Sequence, residues 1–223
     1  MWRWFVEGMF PQLCVRCGKE GGNVCPACFA TTFEHAPELG CPACGCFSPI
    51  GARCAACPGS VDGLLFGVPY ADPVARGLLE RWKFSFARHA EAPILEMLKR
   101  VPLERVLAGD DWTATSVPLH ARRLRWRGFN QAEKITEVVA ARLRLPEEQL
   151  LVRIKHTAQQ ARRGAKEKRR GDLAGVFAAK GPVSGRVILC DDVYTSGATM
   201  EAAASVLKSA GAASVWGVVI ARG

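Results

Sequence analysis

The sequence predicts an α/β domain, a mostly parallel sheet with helices on both faces, preceded by a small cysteine-rich head. Three observations carry this. Nine of the ten cysteines fall between Cys14 and Cys57. Near residue 60 the composition changes from short Gly-, Pro- and Cys-rich stretches to apolar runs. From there on strand-like and helix-like patterns alternate, as they do when helices cover a parallel sheet. The expected division is residues 1–60 for an N-terminal helix plus head and 61–223 for the sheet domain. A chain of 223 residues has room for one medium and one small unit.

Residues 1–7 read as a short amphipathic helix. Charge interrupts the apolar stretch and no cleavage site follows, which argues against a signal peptide. No apolar run approaches the ~20 residues of a membrane span. The cytoplasm is the expected compartment, with membrane association only through partners. Residues 64–70 read as a strand, and 73–84 and 92–107 as helices. The second helix carries Ile94, Leu95, Leu98 and Val101 near a helical period. Residues 112–119 form a candidate strand. For 130–145 a helix is expected: Asn130 caps it, Glu133 sits where a capping-box acid belongs, Ala132, Ile135, Val139 and Leu143 line one face, and Pro146 closes it. A short strand covers 150–154, and no apolar stripe marks 155–172. Residues 186–191 are a short apolar run ending in acids, as in a buried parallel strand. A helix over 200–210, stopped by Gly211, and a strand over 215–220 complete the chain.

The head carries Cys14-x2-Cys17 with Cys25-x2-Cys28, then Cys41-x2-Cys44 with Cys54-x2-Cys57. In a reducing compartment such spacing argues for metal over disulfides. Two knuckles place four sulfurs around one ion at ~2.3 Å, so two structural zinc ions are expected. Gly18, Pro26 and Gly45 suit the tight turns. One occupied site with a degenerate second set, or an iron–sulfur cluster, are the alternatives, and Cys46 is left over as a substitute for Cys44. A closed four-thiolate site has no open position, so no chemistry is assigned to it. Eight thiolates and two zinc ions would lower the formal charge of +9 to about +5. Cys190, inside the predicted strand, reads as a small core residue.

The sharpest signal is Val187-Ile188-Leu189-Cys190-Asp191-Asp192-Val193-Tyr194-Thr195-Ser196-Gly197-Ala198-Thr199-Met200. An apolar strand delivers two carboxylates to its carboxyl end, where ligands of open parallel sheets bind. A small-residue loop then opens a helix. Thr195, Ser196, Gly197, Ala198 and Thr199 offer successive backbone N–H groups and three hydroxyls, which suit a phosphate monoester. Asp191 and Asp192 suit vicinal sugar hydroxyls and a ligand carrying Mg²⁺. Together they describe a ribose 5-phosphate cradle.

The string from Asp191 to Thr199 resembles the phosphoribosyl-pyrophosphate motif of type I phosphoribosyltransferases. With the cysteine head, the chain resembles the ComF competence family from end to end. Further matches are Lys83-Phe84, Val117-Pro118-Leu119-His120, Arg127-Gly128-Phe129-Asn130-Gln131 and Gly175-Val176-Phe177. The resemblance implies a double zinc ribbon before a phosphoribosyltransferase-type domain, and an association with natural transformation, in which imported single-stranded DNA is handled in the cytoplasm. It implies phosphoribosyl pyrophosphate with Mg²⁺ as ligand, and other competence proteins as partners. In the enzymes, ribosyl C1 loses pyrophosphate while a nitrogen acceptor attacks, and the protein positions the reactants and stabilises the departing charge. Asp191 and Asp192 would hold the ribose hydroxyls, residues 195–199 the 5-phosphate, and Val117, Pro118, Leu119 and His120 would face the pyrophosphate.

The resemblance also assigns 155–170 to a mobile flap over pyrophosphate. Eight cations lie from Arg153 to Arg170, among them Arg162, Arg163, Lys166, Lys168, Arg169 and Arg170, against Glu167 alone. Such a segment attracts anions. Two departures stand out. Thr195 occupies the place where purine-salvage enzymes of the hypoxanthine–guanine type carry a carboxylate, which weighs against a purine acceptor. In the flap, Thr157 and Gln160 match the family, but Asp172 stands for Asn and Val176 for Ala. Arg122, Arg123, Arg125 and Arg127 would let the same cleft track single-stranded DNA, with Trp126 and Phe129 among them for stacking. For Trp126 a core position is expected ahead of stacking. A metabolic phosphoribosyltransferase with no DNA role is the second reading.

Overall fold

A computed structural model of the chain describes residues 12–34, 37–83, 90–109, 111–155 and 175–223. The helix expected over 1–7 and most of the flap lie outside them.

The sheet domain alternates as expected. β1 (Gly63–Pro69) leads to α2 (Pro73–Trp82), α3 (Glu91–Leu98) and α4 (Leu103–Val106), following a short helix α1 (Pro26–Thr31) in the head. β2 (Trp112–Ser116) is followed by α5 (Ala121–Arg127), α6 (Gln131–Leu143), β3 (Leu151–Arg153) and β4 (Phe177–Ala179). β5 (Arg186–Tyr194), α7 (Ala198–Ser209) and β6 (Ser214–Arg222) close the chain. The main sheet has the order β1-β6-β5-β2 with every pair parallel, and β3 and β4 form a separate antiparallel pair.

The pleat divides the apolar residues between two cores. Leu65, Ile188, Cys190, Val218 and Ile220 face α2, α3 and α6, meeting Leu78, Trp82, Ile94, Met97, Ile135 and Val139. Leu64, Phe66, Val187, Leu189, Val215 and Val219 face α7, meeting Met200, Ala203, Ala204 and Leu207. The β2-to-β5 connection thus places α6 on one face, and the β5-to-β6 connection places α7 on the other. The strand order diverges at β5, so a crevice opens beyond its carboxyl end.

Several boundaries move for local reasons. The single helix expected over 92–107 is two: Val101 precedes Pro102, whose ring disfavours helical backbone before it, and the second helix starts after that proline. β2 stops at Ser116, ahead of Pro118. β5 runs three residues past Asp191, pairing Tyr194 with Arg222 of β6. Helix α6 is capped as expected, with Asn130 Oδ1 accepting from the Ala132 N–H at 3.2 Å. Glu133, however, accepts from the Asn130 side-chain amide at 3.3 Å, not from its backbone.

The head docks on both layers. Arg81 of α2 donates to the Leu13 carbonyl at 2.6 Å and to Asn23 Oδ1 at 3.0 Å. Residues 51–62 are stapled to α7 and β6: Glu201 pairs with Arg53 and accepts from the Ser60 N–H at 2.6 Å, while Asp62 pairs with Lys208 and accepts from the Val215 N–H at 2.8 Å.

Candidate functional site: a basic, carboxylate-floored cleft beside two metal knuckles

The carboxyl ends of β1, β2 and β5 surround a cavity of about 370 Å³. Val117, Pro118 and Leu119 form one side, Asp191, Asp192 and Val193 the floor, and Thr195 and Thr199 the side toward α7. The turn after β2 is held by two bonds. The Val117 N–H donates to the Cys190 carbonyl at 2.9 Å, and the Asn130 amide donates to the Val117 carbonyl at 3.1 Å. His120 is not in the lining: its Nδ1 accepts from the Arg122 N–H at 3.2 Å as the cap of α5.

Four cations converge on this cavity: Lys83 beyond α2, Arg123 and Arg127 on α5, and Arg153 on β3. Against the two aspartates they leave an excess of positive charge, suited to a polyanion. Arg127 donates to Gln131 Oε1 at 3.1 Å, while its Nε is buried without a partner among the described residues. Burial works against its charge, and Asp192 and Asp191 favour it. A buried guanidinium N–H without an acceptor is what an anionic ligand would satisfy. Asp191 shows the opposite balance. Burial and then the neighbouring Asp192 carboxylate push its acid well above the ordinary range, although the Asp192 N–H donates to Asp191 Oδ1 at 2.9 Å.

Residues 191 and 193–200 also enclose a hollow of about 30 Å³ around the loop. Gly197 opens α7 in left-handed conformation, φ 74°, with no side chain among the described residues capping the helix. Helices α2, α5 and α6 are capped by Asp72, His120 and Asn130. The first N–H groups of α7 are therefore left to a ligand or water. A Cβ at Gly197 would collide with the Tyr194 phenol.

The head has two clusters, Cys14, Cys17, Cys25 and Cys28, and Cys41, Cys44, Cys54 and Cys57, each with its four sulfurs within 4.8 Å of one another. Sulfur separations of 3.8 Å for Cys17–Cys25 and 3.6 Å for Cys44–Cys54 match the ~3.8 Å edge of a tetrahedron with ~2.3 Å metal–sulfur bonds. In the first knuckle of each cluster a glycine at positive φ, Gly18 or Gly45, follows the second cysteine and donates back to the carbonyl of the first. Burial raises the Cys14 and Cys41 thiols, but backbone N–H groups outweigh it and bring both to about 6. Hydrogen bonding to the Cys25 thiol and burial push Cys28 to about 12, and Cys54 and Cys44 do the same to Cys57. Such a set gives up its last protons to a cation. Cys46 is exposed and outside both clusters, and burial pushes the Cys190 thiol up to about 12, as befits a core residue.

No family model matches the chain. Among curated proteins it is 32% identical over 214 residues to the DNA utilization protein YhgH of Escherichia coli O157:H7, covering 92% of this chain and 86% of that protein. The YhgH protein of Salmonella typhimurium LT2 is 31% identical over 213 residues, with the same coverage. The chain belongs to the ComF family. Among solved structures, the allosteric regulatory enzyme of purine biosynthesis aligns with 64% of the chain and 26% of its own, at 16% identity and a TM-score of 0.36.

In this ComF-family chain the structure brings Asp191, Asp192, Thr195, Thr199, Val117, Pro118, Leu119 and Arg127 around one cavity. Ser196, Gly197 and Ala198 line the adjoining hollow. Arg162, Arg163, Lys166, Lys168, Arg169 and Arg170 lie outside the described residues, as do Phe84, Thr157, Gln160 and Asp172. Tyr70 was missed. Trp126 is corrected: it is 66% exposed on α5. Phe129, expected among the stacking residues, is half-buried and packs on Trp82 at 6.0 Å. Among the described residues no helix is long and apolar enough to cross a membrane.

Proposed function

We propose that this protein binds phosphoribosyl pyrophosphate with Mg²⁺ in the cleft at the carboxyl end of β5, and that its basic face handles single-stranded DNA in the cytoplasm during DNA uptake. The observation that carries the first part is the convergence of Asp191, Asp192, the turn after β2, the loop before α7 and four cations on one cavity. Asp191 and Asp192 would accept from the ribose 2- and 3-hydroxyls. The N–H groups and hydroxyls of 195–199 would take the 5-phosphate. Lys83, Arg123, Arg127 and Arg153 would face the pyrophosphate.

Outside the cysteine clusters, no group of three or more metal-ligating side chains occurs among the described residues. This fits Mg²⁺ arriving on the ligand's phosphates, with few protein ligands of its own. When bound it would neutralise charge on the pyrophosphate. Zinc is the metal proposed for the two cysteine clusters, for their four-thiolate geometry.

The DNA part is supported by the relatives' name, DNA utilization protein, and by α5. Arg122, Arg125 and Trp126 are exposed on that helix, beside the cleft that its Arg123 and Arg127 line. Cations interleaved with an exposed indole suit a single-stranded backbone and its bases. The alternative, a metabolic phosphoribosyltransferase without a DNA role, predicts pyrophosphate release with the right nitrogen acceptor and no DNA affinity. An acceptor screen for pyrophosphate release, run beside single-stranded DNA binding with and without phosphoribosyl pyrophosphate, separates the two. DNA binding supports the proposal. Its absence, with turnover on a small acceptor, favours the alternative.

A further inference from the structure

The two cysteine clusters dock on different parts of the molecule. The first lies against α2: Val15 packs over Gly77, and Arg81 reaches the Leu13 carbonyl. The second lies against the ends of β5 and β6, beside the phosphate loop. Its knuckle accepts three hydrogen bonds from there. The Tyr194 hydroxyl donates to the Pro42 carbonyl at 3.0 Å. Arg222 donates to the Gly40 carbonyl at 3.1 Å and to the Cys41 carbonyl at 2.9 Å.

Tyr194 immediately precedes the loop. It is 5% exposed, and its phenol lies so close to Gly197 that any side chain there would strike it. The ring is thus wedged between the knuckle and the turn that starts α7. On the outer side, Pro42, Ala43, Cys44 and Gly45 face Thr195, Ser196 and Ala198 across a cavity of about 410 Å³. The carbonyl that Tyr194 grips lies between Cys41 and Cys44, so a metal held by both fixes that carbonyl. A pre-shaped loop binds an anion without ordering itself first.

We infer that the second cysteine cluster, loaded with metal, positions the phosphate loop through Tyr194, and that the first cluster does not. Tyr194 is a positioning residue that carries the geometry of the knuckle to residues 195–199. The ligand named here, a phosphate monoester, rests on the reading of the cleft given above. The coupling between cluster and loop does not.

The test uses the full chain and two readouts, amide hydrogen exchange over 195–200 and zinc content per chain, with ribose 5-phosphate titration as a third. Tyr194→Phe should keep both metals, speed exchange over 195–200 about tenfold, as expected for a buried hydrogen bond left unmade, and weaken ribose 5-phosphate binding. Cys41→Ser with Cys44→Ser should lose one metal and speed the same amides, while amides of α6 stay protected. Cys14→Ser with Cys17→Ser should lose the other metal and leave 195–200 unchanged. Native exchange in Tyr194→Phe, or equal loosening when either cluster is lost, overturns the inference. If the second-cluster variant unfolds, loss of α6 protection reveals it and Tyr194→Phe decides alone. If the native protein does not bind ribose 5-phosphate, the reading of the cleft fails while the exchange comparison still decides the coupling.

Discussion

At the scale of single residues, Asp191 sets the pH behaviour of the cleft. Burial and the Asp192 carboxylate raise its acid well above the ordinary range. In the proposed complex a sugar hydroxyl would donate to the ionised carboxylate, so ligand binding would favour the deprotonated form. Affinity for phosphoribosyl pyrophosphate should therefore fall as pH drops through that raised value, above the ~4 at which a free carboxylate titrates. Calorimetric titrations across pH should show this loss in the native protein and not in Asp191→Asn. A native affinity flat down to the ordinary carboxylate range would contradict it. Asp191 and Asp192 were legible in the sequence because a buried strand ending in two acids before a Thr-Ser-Gly turn is a continuous string. Tyr70 was not. It reaches the cavity because β1 pairs beside β6, with the Tyr70 N–H donating to the Arg222 carbonyl at 2.6 Å, a register that no local pattern states. Trp126 was misread because an apolar residue among arginines gives no period from which to tell an inward from an outward face.

At the scale of elements, the spacing of the cysteines disclosed all eight members of the two clusters, since a knuckle is a local structure. What spacing could not show is where each cluster docks, which depends on Arg81 in one case and on Tyr194 and Arg222 in the other. Helix α5 also escaped notice. It is short, strongly basic and buries none of its residues, so it has no apolar stripe to betray it. The clusters carry their own prediction. Cys28 and Cys57 hold their protons to about 12 without a cation, and zinc takes thiolates, so metal uptake must release protons. Apparent zinc affinity should fall steeply as pH is lowered, and native protein should contain two zinc ions per chain by elemental analysis. Purification without zinc, or with iron and inorganic sulfide in its place, would contradict the assignment.

At the scale of the whole molecule, alternating strands and helices announced the sheet and its two covered faces. The strand order β1-β6-β5-β2 was not readable, because it is decided by which face each connecting helix packs on. That order puts the divergence at β5 and so brings loops from distant parts of the chain to one cleft. The proposed DNA binding would be electrostatic in part, since the formal charge of +9 falls only to about +5 with two thiolate-bound zinc ions. Affinity for single strands should fall linearly with salt on logarithmic axes, and Arg122→Ala with Arg125→Ala should reduce the slope by about 1.4. Fluorescence anisotropy over a salt series would show it, and salt-insensitive binding would not fit. The cleft itself is decided by calorimetry of phosphoribosyl pyrophosphate with Mg²⁺ on the native protein and on Asp191→Asn with Asp192→Asn. Saturable one-site binding in the native protein should weaken at least about a hundredfold in the variant, as two charge-assisted hydrogen bonds lost would require, with thermal unfolding at no lower a temperature, since the raised Asp191 acid marks a carboxylate whose charge costs stability. Equal affinity in the two proteins would show that the sugar phosphate does not bind at the end of β5.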